Sequence, residues 1–135
     1  MRKTLIVLAA AALAALPTAG HGYQKKAVEE LMQKKLDRSQ KLLAGIALND
    51  FDEIRRNAED LLDISKVAEW RVLKTPRYEL FSNEFQRNAE EIIKAAKAKN
   101  LDAATVGYVD MTLTCVKCHK HVREVRMVRL DRDGE

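Results

Sequence analysis

The chain has 135 residues, 24 Lys and Arg against 20 Asp and Glu, a net charge of +4 and two cysteines. So small a charge excess leaves no footprint for nucleic acid or anionic lipid, and two cysteines do not make a disulfide framework.

In chain order, Arg2 and Lys3 precede an apolar run from Leu5 to Leu16 and then Pro17-Thr18-Ala19-Gly20. A positive start, a short apolar centre and small residues at its end predict a secretory signal peptide. The run is shorter than the ~20 residues that span a bilayer, so no membrane insertion is expected once it is removed. Cleavage between Ala19 and Gly22 would discard residues 1–22 and leave one domain over residues 23–135, with a net charge of about +2. Such a domain buries about two-thirds of its unfolded surface and needs no disulfide.

Helical periodicity dominates the remainder of the chain. A first helix is expected from about Gln24 to Leu48, with Val28, Leu31, Met32, Leu36, Leu42, Leu43 and Ile46 on its apolar stripe. Asn49-Asp50 breaks it. Asp50 is placed to cap a second helix, with Glu53 three residues on as in a capping box. That helix carries Ile54, Ala58, Leu61, Leu62, Ile64 and Ala68 inward and fades between Trp70 and Lys74. Thr75-Pro76 opens a third, because proline suits a first turn; it presents Leu80, Phe81, Phe85, Ala89, Ile92, Ile93 and Ala96. Asn100 ends the third helix or caps the fourth, which runs from Leu101 to about Leu130. Four amphipathic helices joined by short turns predict an all-α, antiparallel up-down-up-down four-helix bundle.

The fourth helix holds Cys115-Val116-Lys117-Cys118-His119. Thiols three positions apart lie about one turn from each other on one helix face, so each can add to one vinyl group of a single porphyrin. The adjacent imidazole can then ligate the iron. This pattern predicts one covalently attached haem c, on Cys115 and Cys118, with His119 as proximal ligand. A thioredoxin-like redox pair would want a βαβ setting that the periodicity does not offer. A structural zinc module, the remaining alternative, needs four ligands, and the fourth donor at hand, His121, lies about 200° round the helix from His119.

With these residues in view the chain resembles the class II cytochromes c, the cytochrome c-prime family. The resemblance is carried by Cys115-Val116-Lys117-Cys118-His119-Lys120-His121-Val122-Arg123, which is similar to that family's Cys-x-x-Cys-His-x-x-hydrophobic-Arg near the C-terminus. It is carried also by Phe81, Phe85 and Asn88 leading into Ile92 and Ile93. The Trp70 to Tyr78 stretch departs from the pattern in being short. The resemblance implies a haem inside the bundle, His119 as fifth ligand, Arg123 beside it, export to the periplasm or beyond the cell, no enzymatic activity, and homodimers through the first two helices. On spacing alone Arg123 lies one turn past His119, where it can pair with a haem propionate or simply complement the helix C-terminus.

Members of the family either leave the sixth iron position open, and bind nitric oxide or carbon monoxide, or fill it with a first-helix Met and carry electrons. Met111 and Met127 lie on the haem-bearing helix itself, eight residues either side of His119, and His21 lies at the cleavage region, which leaves Met32. In an up-down-up-down bundle Met32, ~12 Å from the start of its helix, and His119, ~16 Å from the end of its own, sit near one level. A thioether ligand would suit electron transfer. Met32 is equally placed to be a plain core side chain. Lys117, Lys120 and Arg123 share an arc of about 120° that could steer an acidic redox partner, or merely be solvated.

Overall fold

The computed structural model describes residues 19–67 and 70–133, so the Leu5 to Leu16 run and Ala68 lie outside it. The described residues form four helices and no strand: α1 (Ala19–Leu48), α2 (Phe51–Ile64), α3 (Pro76–Lys97) and α4 (Leu101–Asp133). The expected cleavage stretch, Ala19 to Gly22, falls within the described start of α1. No helix among the described residues is long and apolar enough to cross a membrane.

The turns end where side chains and carbonyls exchange hydrogen bonds. Asp50 caps α2 by accepting from the Asp52 and Glu53 amides at 3.1 and 3.0 Å. The capping box is only half made, because the Glu53 carboxylate turns to Arg56 and the Asp50 amide donates to Gly45 O at 2.8 Å. Thr75 Oγ1 accepts from the Tyr78 amide at the start of α3, with Pro76 at its first position. Asn100 Oδ1 accepts from the Ala103 amide and so caps α4. α1 and α3 both close in a six-to-one bond with a left-handed residue, Asn49 at φ 54° and Lys99 at φ 53°. Asparagine tolerates that conformation; lysine adopts it at a cost.

Each helix packs on the next in sequence, and α1 meets α4 only sparsely, an arrangement compatible with a four-helix bundle. Backbones come close at two glycines. A Cβ on Gly45 would stand 3.0 Å from Ile54 N, and one on Gly107 2.8 Å from Ile92 Cγ1. The core between them holds Leu42, Ile54, Ala58, Leu61, Phe85, Ile92, Ala104 and Met111. Each large aliphatic or aromatic side chain there contributes about 1.5–3 kcal/mol by leaving water. Asn88 Nδ2 donates to Thr114 Oγ1, which donates in turn to Asp110 O, so the α3–α4 interface carries polar atoms without stranding them.

The structure corrects two expectations. Leu36, Leu43 and Leu80 are about half exposed rather than buried. On α1 the core-facing positions are Lys35 and Leu42, seven residues apart and therefore on one face, and Leu36 and Leu43 lie about 100–120° away from it. α2 stops at Ile64 rather than fading past Trp70. Ser65 is buried, its hydroxyl donating to Leu62 O at 2.6 Å and its carbonyl accepting from Gln86 Nε2, and this turns the chain out of the helix. The connection then carries Trp70 into the core.

Candidate haem-attachment site

Each helix shows which flank faces which neighbour. On α4, Gly107 faces Ile92, Thr114 faces Asn88, His121 faces Thr75 and Phe81, and Lys117 pairs with Glu84, so this side of the helix lies on α3. Taking 100° per residue, Cys115, His119 and Tyr108 project from the other flank, toward α1, and Cys118 lies between the two. On α1, Gly45 faces Ile54 and Arg38 pairs with Asp60, so that side lies on α2. The opposite flank carries Met32, Leu36 and Leu43. The sparse α1–α4 seam is therefore edged by a motif of two thiols and an imidazole on one helix and by apolar side chains on the other.

Both cysteines are free and half-buried, and both pack against the core. Behind them lies an aromatic wall that residue spacing does not announce. Trp70 is buried, donates from Nε1 to Ser82 Oγ at 2.9 Å, and has its ring 5.1 Å from that of Phe85. Tyr78 OH donates to Trp70 O, and burial, then the nearby Cys118, push its pKa up to about 12.

Lys35 enters this site from α1. It is 8% exposed, and its Nζ lies 4.5 Å from the Trp70 ring centroid and 4.4 Å from that of Phe85. Cys115 and Cys118 lie within electrostatic reach of the ammonium. Burial lowers the Lys35 pKa, while Cys115 and Cys118 oppose that. Burial raises the Cys118 thiol, and Lys35 opposes it. His119 is exposed at its edge, yet burial, then Lys35 and Arg123, hold its pKa below the usual imidazole value, which favours the neutral, ligating form.

The structure also places the other expected residues. Met32 is half-buried at the rim of the core, one turn before Lys35. Arg123 is exposed beside His119. Met111 is fully buried in the core, and Met127 is exposed. His121 lies on the far side of the helix from His119, as its spacing predicts. It is buried there, with Nε2 2.8 Å from Thr75 Oγ1 and its ring edge-on to Phe81. It is thus not grouped with the cysteines, and among the described residues no three His, Cys, Asp or Glu side chains are gathered for a metal ion.

The donor set suits a haem. Two reduced thiols share a helix face on a half-buried flank, an imidazole stands beside them, and the wall behind is aromatic. Spacing alone signals the thiols and the imidazole. Trp70 and Lys35 give no such signal, because an irregular connection and a lone lysine on an apolar face carry no motif. Comparison with protein families, with curated proteins and with solved structures returns no match.

Proposed function

We propose that the chain is an exported c-type haem protein that transfers electrons, its four helices running antiparallel, up-down-up-down, with the haem in the seam between α1 and α4. The observation that carries the reading is the placement of Cys115 and His119 on the α1-facing flank of α4, with Cys118 next to them at the edge of that flank, backed by Trp70 and Phe85. Cys115 and Cys118 would hold the porphyrin through two thioether bonds, and His119 would be the proximal iron ligand. The group would supply reversible one-electron chemistry at iron.

The chain's own residues do the rest. The half-exposed Leu36 and Leu43 and the half-buried Met32 give α1 an apolar edge from which water would be excluded. Met32 stands on the flank opposite His119 and is the proposed distal ligand. Arg123, beside His119, is available to a propionate. Lys117 is tied to Glu84 at 3.0 Å, so an acidic redox partner would be met by Lys120 and Arg123.

Acid–acetone extraction of protein made with a haem-maturation system should leave the pigment on the polypeptide. Cys118→Ala should impair attachment. Pigment released wholly into the solvent would overturn the covalent reading. Zinc without haem in the purified protein would return it to a structural metal module.

A further inference from the structure

Haem attachment and iron ligation make no use of Lys35, and it is the least expected side chain in the core. Ammonium groups are rarely buried without a carboxylate. Among the described residues no carboxylate acts on Lys35; two aromatic ring faces stand in that place. Two rings at about 4.5 Å make a cation–π cage, which favours the charged side chain over a neutral one. Its field reaches Cys115, Cys118 and His119, all three members of the attachment motif.

Resting on the haem reading, we infer that Lys35 is a built-in positive charge which, from its cage of Trp70 and Phe85 beside the attachment cysteines, favours the reduced iron and so raises the reduction potential. Oxidation of the iron adds one positive charge to the site. A like charge held in a poorly solvated place opposes that addition, and salt screens it little because it is buried. The lysines and arginines at the exposed end of α4 sit in water, where the same charge counts for less. Lys35 acts through its charge and not as an iron ligand, because its amine is already engaged by the two rings.

The test compares the haem-loaded wild type with Lys35→Met, which keeps the stem and the apolar contacts, with Lys35→Gln as a second neutral form. Lys120→Met is the exposed control. Spectroelectrochemistry gives the midpoint potential, and the visible spectrum gives the spin state. Both Lys35 variants should show a lower potential than the wild type, by a shift clearly larger than that of Lys120→Met, and the same spin state as the wild type. A shift no larger than that of Lys120→Met would overturn the inference. So would a change from low to high spin confined to the Lys35 variants, which would make Lys35 itself an axial ligand. If the wild type carries no haem, it is the haem reading that fails, and that result is seen before any variant is made.

Discussion

Met32 and Lys35 stand one turn apart on α1, and the chemistry divides between them. A thioether is soft, uncharged and suited to ligating iron, whereas the ammonium is already engaged by two ring faces. Met32→Ala should therefore convert a low-spin spectrum to high-spin and open the iron to carbon monoxide. Full burial of a Met would make its loss cost about 2–5 kcal/mol, and a half-buried one less, so stability cannot decide the point and the spectrum does. Tyr78 offers a separate check on the wall behind the cysteines. Its folded pKa of about 12 exceeds the ordinary value, so the neutral phenol is the form that folding favours. The stability it contributes is complete below about pH 10 and is lost as pH rises toward 12. Denaturant titrations between those limits should show a decline in the wild type that is shallower in Tyr78→Phe.

Among the elements, the helix ends are the most legible part of the chain, because caps are local. Asp50, Thr75-Pro76 and Asn100 announce three helix starts through side-chain chemistry that needs no tertiary partner. Which flank of each helix is buried is less legible. Periodicity finds an apolar stripe but not its rotation against neighbours, so by pattern Leu36 and Leu43 read as core while Lys35 does not. The thiols and imidazole are legible because they fall within five consecutive residues of one helix; the wall of Trp70 and Phe85 is assembled from separate elements. Two substitutions test these helix ends. Lys99→Gly should raise stability by about 1 kcal/mol, since Lys99 holds φ 53° at the end of α3, and thermal unfolding of the two proteins would show it. Thr75→Ala should lower stability by about 1–2 kcal/mol in the same assay, because Thr75 both caps α3 and bonds His121.

For the molecule as a whole, α1 is packed on α2 along one flank and meets α4 sparsely along the other. Without haem, that flank has little to cover Met32, Leu36 and Leu43. Hydrogen exchange of the haem-free protein should find the N-terminal half of α1 among the fastest-exchanging helical segments, and attachment of haem should slow it more than it slows α2 or α3. Equal protection of α1 in both forms would place the haem elsewhere. One measurement reaches the proposed cofactor and both of its faces: the ultraviolet–visible spectrum of the reduced protein, purified after expression with a haem-maturation system, before and after carbon monoxide. The expected result is a Soret band with sharp low-spin bands that carbon monoxide changes slowly or not at all. A high-spin spectrum that carbon monoxide shifts at once would remove Met32 from the iron and make the protein a gas binder. Absence of any Soret band would contradict the haem itself.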